Sequence, residues 1–268
     1  MAPMTDISLY GLIGYPLSHS FSERYFSQKW AAHSDTRQYC LFPIPDLAEL
    51  PQLLRLYPQL RGLNVTIPHK QAVLPYLHEL SAEAADIGAV NCIAIDANTG
   101  RLRGYNTDVL GFAHTLQPLL RPQHRHALVL GTGGAAQAVA YVLRQYNIPH
   151  CFVSRSLPPD MPTASHVLRF SLDAPPCLTY AYLQAAVLPP QGLILINTTP
   201  LGMYPHSNTL PPLPYEAINS NYICYDLVYN PSPSLFLQTA ALQGAVCQDG
   251  LAMLYRQADE AEKIWLGE

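Results

Sequence analysis

The stretch that most constrains the fold begins at Ala127. Ala127-Leu128-Val129-Leu130 is an apolar run that leads without a spacer into Gly131-Thr132-Gly133-Gly134-Ala135-Ala136. A helical pattern follows to about Tyr146, and a second apolar run, Cys151-Phe152-Val153, ends at Ser154-Arg155-Ser156. Strand, glycine turn, helix, strand is the order of a βαβ unit that binds a dinucleotide. The glycines permit a tight turn and let a pyrophosphate approach the helix N-terminus. Two more buried strands are read downstream. Leu193–Ile196 ends in Asn197-Thr198-Thr199-Pro200-Leu201-Gly202-Met203, and Tyr222–Asp226 ends in Leu227-Val228-Tyr229-Asn230-Pro231. Ligands of open α/β sheets sit beyond the carboxyl ends of strands, so the Asn197–Met203 loop is a candidate wall of the cofactor crevice. An NAD site wants an acidic residue after the second strand; here Arg155 stands between two hydroxyl residues. A guanidinium can hold a 2′-phosphate bidentately, which favours NADP over NAD. The plain alternative is a solvated loop arginine.

Composition narrows the class. A chain of 268 residues makes one large or two small domains, and 49% hydrophobic against 13% charged residues supplies a substantial core. The net charge is −4 and basic residues form no run, which argues against nucleic acid as the main partner. The six cysteines are scattered and read as reduced core residues, as in a cytosolic protein. Met1–Asp6 has no basic region before an apolar run, and no apolar stretch reaches spanning length. The expectation is a soluble, cytoplasmic protein without a membrane partner. His124 and His126 flank Arg125 in the polar linker Arg121–His126; no cysteine or carboxylate completes a metal set, so no metal is expected.

The first third reads as a second α/β region. Strands are expected at Ile7–Ile13, Gln38–Pro43, Arg61–Ile67 and Gly88–Ile95, the last returning through Asn98-Thr99-Gly100 to Arg101–Tyr105 as a hairpin. Helices are expected up to about His33, over Asp46–Leu56, Lys70–Leu80 and Ala82–Ile87 (capped by Ser81), and from Asp108 through Leu120. Later come a helix over Leu235–Gln243, a short strand Ala245–Cys247 and a final helix, Leu251–Leu266, opened by Gly250. Ser20-x-x-Glu23 fits a capping box and Ser22 is a second N-cap candidate; a helix start with hydroxyls also suits a carboxylate.

Of three lysines, Lys29 and Lys263 lie in polar, helix-like stretches and read as solvated. Lys70 instead follows a strand and Pro68, with Asn64 and Thr66 on one strand face. It is either a surface lysine after a turn or a tuned proton donor and acceptor. Asp108 stands where a strand gives way to a helix. It is either a cap or a carboxylate that faces Lys70 across a cleft and opposes the pKa drop caused by burial.

Eight motifs in order resemble one family, the shikimate/quinate dehydrogenases. Asn64–Lys70 is similar to its N-V-T-x-P-x-K, Gly14–Ser22 to G-x-P-x-x-H-S-x-S, Gly88–Asn91 to G-A-V-N, and Asn106–Gly111 to N-T-D-x-x-G. Gly131–Ala135 resembles G-x-G-G-A, Asn197–Met203 N-x-T-P-x-G-M, Asp226–Pro231 D-x-V-Y-x-P, and Gly250–Gln257 G-x-x-M-L-x-x-Q. The resemblance implies an α/β fold in two domains, with residues 1–109 and 248–268 binding substrate and 110–247 forming a Rossmann domain for NADP(H). The last helix would return to the first domain. It implies reversible reduction of 3-dehydroshikimate to shikimate on the route to chorismate and the aromatic amino acids, by a monomer or homodimer.

By the same resemblance Lys70 and Asp108 are catalytic, and Ser20 and Ser22, rather than Ser18, hold the substrate carboxylate. Asn64, Thr66, Asn91, Asp108 and Gln257 bond the ring hydroxyls, and Tyr229 closes the site. Cofactor contacts fall on Gly131, Thr132, Gly133, Gly134, Ala135, Ser154, Arg155, Ser156, Thr198, Thr199, Pro200, Leu227 and Gly250. This chain departs from the family in four places: Glu23 replaces a proline and is expected at the first helical position, Cys92 replaces a threonine, Ser154-Arg155-Ser156 stands where the family has N-R-T, and Pro158-Pro159 replaces a second basic residue after Arg155. The last departure predicts a less exclusive preference for NADP. An NAD-dependent quinate/shikimate dehydrogenase and a catalytically silent NADP-binding regulator are the competing readings.

Overall fold

The computed structural model describes residues 7–17, 20–32, 36–157, 168–189 and 191–268. The readings at Met1–Asp6, Ser18, His33 and Pro158-Pro159 lie outside these residues. The chain divides into two compact units, Met1–Thr107 with Ala258–Glu268, and Asp108–Gln257.

The first unit runs β1 (Leu9–Gly14), α1 (Phe21–Ala31), β2 (Gln38–Pro43), α2 (Leu50–Leu56), β3 (Leu60–Val65), α3 (His69–Ala72), β4 (Glu79–Leu80), α4 (Ala82–Ile87), β5 (Cys92–Ile95) and β6 (Leu102–Tyr105). Its sheet has the order β2-β1-β3-β5-β6-β4. The strands β2, β1 and β3 are mutually parallel, whereas β5 runs antiparallel to β3 and β6. Ile13, Leu50, Leu63, Val73 and Ile93 are fully buried in its core. The hairpin and the Ser81 cap stand as the sequence predicts, with Ser81 Oγ accepting from the Ala84 amide at 3.2 Å and Gly88 closing α4 in the left-handed region.

Other expectations need correction. The helix expected over Lys70–Leu80 is one turn, α3, then a 3₁₀ turn at Leu74–Tyr76 and the strand β4. Pro75 has no amide hydrogen, and in a continuing helix its ring would strike the carbonyl of Gln71. Likewise Asp46–Leu56 begins as a 3₁₀ turn capped by Asp46, and α2 starts only at Leu50. The α1 cap is Ser20, which accepts from the Glu23 amide at 3.4 Å. Ser22 is therefore the second helical residue rather than a cap. Glu23 is the third and not the first, which is the capping-box position.

Lys29 is not a solvated lysine. Its ammonium pairs with Asp259 and Glu262, both at 2.6 Å, and only 32% of its side chain is exposed. Burial works against its charge, but the bonds from Asp259 and Glu262 prevail and hold its pKa above the ordinary value. Glu262 also accepts from the buried Trp30 indole N–H at 2.6 Å and from Arg37 at 2.9 Å. Removing a buried ion-pair partner costs several kcal/mol, less where the cations keep some solvent. Glu262→Ala should thus lower stability by about 2 kcal/mol, read as a shifted urea midpoint. A midpoint within error of wild type would show that this network contributes nothing to holding α1.

The second unit contains α5 (Asp108–Leu116), β7 (His126–Leu130), α6 (Gly134–Gln145), β8 (His150–Ser154), β9 (Cys177–Thr179), α7 (Tyr180–Ala185), β10 (Leu193–Asn197), β11 (Ile223–Asp226), α8 (Leu235–Leu242), β12 (Val246–Gln248) and the start of α9 (Leu251–Leu266). From Ala258 onward α9 belongs to the first unit, where Trp265 packs on Tyr10 and donates to the Ile93 carbonyl at 3.0 Å. The second sheet is parallel throughout, in the order β12-β11-β10-β7-β8-β9. Strand order reverses between β7 and β10, which makes this edge the topological switch point of a doubly wound fold. Of the two linker histidines, His124 lies in the loop as expected and His126 does not. His126 opens β7 with its ring 4.6 Å from that of Phe170, and His124 is buried, bonded to the Arg121 amide and the Asn221 carbonyl. Among the described residues no helix is long and apolar enough to cross a membrane.

Candidate active site

In the first unit the expected substrate residues gather where β3, α3 and the α4–β5 loop end. Asn64 is the penultimate residue of β3 and is 5% exposed. Its Oδ1 accepts from the Tyr39 hydroxyl at 2.7 Å. Burial raises the Tyr39 pKa well above the ordinary value, so this group stays protonated. Thr66 leaves the strand with its amide on the Ile13 carbonyl at 2.9 Å.

Lys70 is half-buried in α3, and its carbonyl accepts from the Val90 amide at 2.8 Å. That bond ties the lysine's backbone to the loop carrying Asn91. Asn91 is a junction of its own. Its carbonyl accepts from Val65, and its Oδ1 accepts from the Thr107 amide at 2.7 Å while its Nδ2 donates to the Thr107 hydroxyl at 3.1 Å. Asn106 beside it donates to the Ala89 carbonyl at 2.9 Å. Cys92, where the family pattern has threonine, is fully buried and pairs with Asn64 across the sheet. Burial drives its thiol pKa far upward, so it is an apolar filler and no nucleophile.

In the second unit Asp108 is the first residue of α5 and is buried. Gln257 is buried on α9, with its Nε2 donating to the Leu254 carbonyl at 3.0 Å, and Tyr229 is half-buried in the loop after β11. The expected cofactor residues converge at the carboxyl ends of β7, β8, β10 and β11. Gly131 takes a φ of +112°, and a Cβ there would stand 2.6 Å from Thr198 Oγ1. Thr198 is fixed in turn, both its amide and its hydroxyl donating to the Leu130 carbonyl at 3.0 and 2.6 Å. Gly250 presses on Leu227, where an added Cβ would meet the carbonyl oxygen at 2.3 Å. Ser154 ends β8; Arg155 and Ser156 follow it, exposed.

The resemblance contained Asn197 and Asp226 without giving them a role, and the structure shows what they do. Asp226 is fully buried and accepts from Asn197 Nδ2 at 2.9 Å, the Val228 amide at 3.0 Å and the Ser234 hydroxyl. Burial pushes its carboxyl up to about 6 although those three donors pull the other way. Asn197 Oδ1 holds both the amide and the hydroxyl of Thr199, at 3.1 and 2.6 Å. The pair therefore sets the shape of the Thr198–Pro200 loop.

The α6 head fits a pyrophosphate. Its N-cap is Gly133, no side chain caps it, and a Cβ on Gly133 would meet nothing within 4 Å. Uncapped amides at the start of a 12-residue helix, with open space before them, are what a dinucleotide phosphate requires.

Comparison with known proteins follows the same lines. Residues 12–93 match a family model described as the shikimate dehydrogenase substrate binding domain. The shikimate dehydrogenase (NADP(+)) of Nostoc sp. is 38% identical over 263 residues, covering 96% of this chain and 90% of that protein. Shikimate dehydrogenase 1 from Peptoclostridium difficile superposes with a TM-score of 0.81 at 30% identity, covering 97% of this chain and 92% of that one. The shikimate 5-dehydrogenase of Thermus thermophilus, solved in complex with NADP(H) and shikimate, gives a TM-score of 0.77 at 30% identity, covering 97% and 94% of the two chains.

Proposed function

The chain belongs to the shikimate dehydrogenase family, and on that premise we propose that it catalyses the reversible NADPH-dependent reduction of 3-dehydroshikimate to shikimate. The observation that carries this is relatedness over nearly the whole length of both chains to a named shikimate dehydrogenase (NADP(+)). The enzyme is an oxidoreductase of chorismate and aromatic amino acid biosynthesis. Residues 1–109 with 248–268 serve substrate and catalysis, and 110–247 serve the cofactor. A cytoplasmic location is part of the proposal, and the six free thiols suit it.

NADPH, when bound, supplies the hydride for the substrate's ketone carbon. The protein supplies the rest. Ser20 and Ser22 hold the substrate carboxylate, which fixes the ring's orientation. Asn64, Thr66, Asn91, Asp108 and Gln257 bond its hydroxyls, and Tyr229 covers it. Reduction turns a neutral ketone oxygen into an alkoxide, and the Lys70 ammonium meets that charge and delivers the proton. Asp108 is the carboxylate of the catalytic set. Gly131–Ala135 take the pyrophosphate on the α6 amides, with Thr198, Thr199, Pro200, Leu227 and Gly250 as further cofactor contacts. Ser154, Arg155 and Ser156 take the 2′-phosphate.

The test is an assay of shikimate-dependent NADP reduction, with NAD and quinate as controls. Turnover of shikimate with NADP at higher kcat/KM than any other pairing supports the proposal. Tight NADP binding without turnover at any pH would sink it in favour of a silent regulator. Arg155→Ala separates the cofactors: a charge-assisted bond to the 2′-phosphate is worth roughly tenfold or more, so KM for NADP should rise by about that factor while KM for NAD stays put. Equal changes for both would remove Arg155 from the 2′-phosphate site.

A further inference from the structure

Asp226 is fully buried, carries a carboxyl group and has no part in the chemistry proposed above. It ends β11 directly across from Asn197, the last residue of β10, so the two side chains meet where both strands give way to loops. Its donors are divided between its oxygens. Oδ1 accepts from Asn197 Nδ2 at 2.9 Å and from the Val228 amide at 3.0 Å, and Oδ2 accepts from the Ser234 hydroxyl. Asn197 is fully buried as well, and its carboxamide fits only one way round. Its Nδ2 faces two acceptors, Asp226 Oδ1 and the Leu201 carbonyl at 3.2 Å, while its Oδ1 takes the amide and the hydroxyl of Thr199. Turned over, it would set oxygen against oxygen on one side and N–H against N–H on the other. The Thr199 hydroxyl in turn accepts from the Leu201 amide at 3.3 Å, which closes the loop on itself. One carboxyl group thus holds the loop after β10 through Asn197 and the loop after β11 through Val228.

We propose that Asp226 is a positioning residue for the cofactor, orienting Asn197 so that the Thr198–Pro200 loop is shaped before NADPH arrives. The proposal rests on the reading of that loop as a set of cofactor contacts. What the loop needs from Asp226 is an acceptor at Oδ1 and not a charge. Asp226→Asn still supplies one: two donors face the Oδ1 position, so the new oxygen goes there and the new amide nitrogen faces Ser234. The cost falls on Ser234, whose proton loses its acceptor while its oxygen still caps α8 by accepting from the Leu237 amide at 3.4 Å. The loop side and the helix side of the carboxyl group are therefore separable.

The test is a fluorescence titration with NADPH, which needs no turnover, beside melting curves. Asp226→Ala should weaken NADPH binding about tenfold, the scale of a buried donor left without its acceptor. Asp226→Asn should bring it back to within about twofold of wild type, although its melting temperature falls with the Ser234 bond. Ser234→Ala should likewise melt lower and bind NADPH as wild type does. Asn197→Ala should match Asp226→Ala in binding, and the double variant should lose no more than the worse single one. KM for shikimate should move far less than NADPH affinity in each of them. A second measurement covers the case in which Asp226→Ala does not fold: in cofactor-free wild type and Asp226→Asn, hydrogen exchange at the Thr199 amide should be slow. Wild-type affinity in Asp226→Ala, a tenfold loss in Asp226→Asn, or a Thr199 amide that exchanges freely until NADPH is added would overturn the proposal. If wild type does not bind NADPH at all, the cofactor reading falls and takes this one with it. If it binds NADPH without oxidising shikimate, the assigned reaction falls alone, and the same titrations still decide the role of Asp226.

Discussion

Lys70→Ala should lower kcat for shikimate oxidation by about a hundred- to ten-thousand-fold while NADP affinity stays close to wild type, because a positioned acid contributes on that scale and the cofactor is held elsewhere. The chain's other two lysines have evident structural roles. Lys29 is locked between Asp259 and Glu262, and Lys263 pairs with Glu260 at 2.9 Å one helical turn away. The Lys70 backbone carbonyl accepts from the Val90 amide, a bond that alanine keeps. A melting temperature equal to that of wild type would assign the loss of activity to the ammonium and not to a displaced loop. Lys70→Arg refines the result. Arginine keeps the charge but cannot give up a proton near neutral pH. Partial rescue would mean that charge stabilisation dominates, and none would mean that proton transfer does. Steady-state kinetics with a separate NADP titration by fluorescence would read both quantities. Near wild-type turnover in Lys70→Ala would remove the lysine from the mechanism.

Much of this was legible in the sequence because the relevant signals are local. The strand His126–Leu130, the glycine turn and the helix Gly134–Gln145 are adjacent in the chain, so apolar runs and glycine spacing give both the fold and the proposed phosphate site. Ser81 announces α4, and Gly250 announces Leu251–Leu266, for the same reason. What escaped is of two kinds. Short elements carry too few residues for a period. The strand Cys177–Thr179 and the helix Tyr180–Ala185 were missed, although Thr179, whose hydroxyl accepts from the Tyr182 amide at 3.2 Å, was an available cap signal. Pro75 similarly outweighed a helical pattern after Lys70. The second kind is long-range pairing. Nothing beside Lys29 reveals carboxylates 230 residues away, and nothing beside Tyr39 reveals Asn64 as its acceptor. Motif residues thus mark the proposed site, whereas the buried partners that hold them still emerge only from the folded chain.

Gly131→Ala should raise KM for NADPH by at least about tenfold and lower thermal stability as well, since strain at a backbone position reserved for glycine costs about 1–3 kcal/mol. A φ of +112° lies where side-chain-bearing residues rarely go, and the added carbon would stand 2.6 Å from Thr198 Oγ1 and 3.2 Å from Thr199 Cγ2. Neither threonine can yield easily. Thr198 bonds twice to the Leu130 carbonyl, and Thr199 bonds twice to Asn197, itself clamped by Asp226. The turn must give instead, although the Gly131 amide is pinned to the Val153 carbonyl at 2.8 Å. Its movement carries away the α6 amides proposed to face the pyrophosphate. Gly133→Ala provides the contrast. Its φ is −77° and an added Cβ meets nothing within 4 Å, so the fold should tolerate the change and the melting temperature should hold. The same Cβ would occupy space that the pyrophosphate needs, so cofactor affinity should still fall about tenfold or more. One glycine then serves the turn and the other the ligand, and melting curves beside NADPH titrations separate the two roles. A Gly133→Ala protein that binds NADPH as tightly as wild type would show that the pyrophosphate does not approach α6 at this residue.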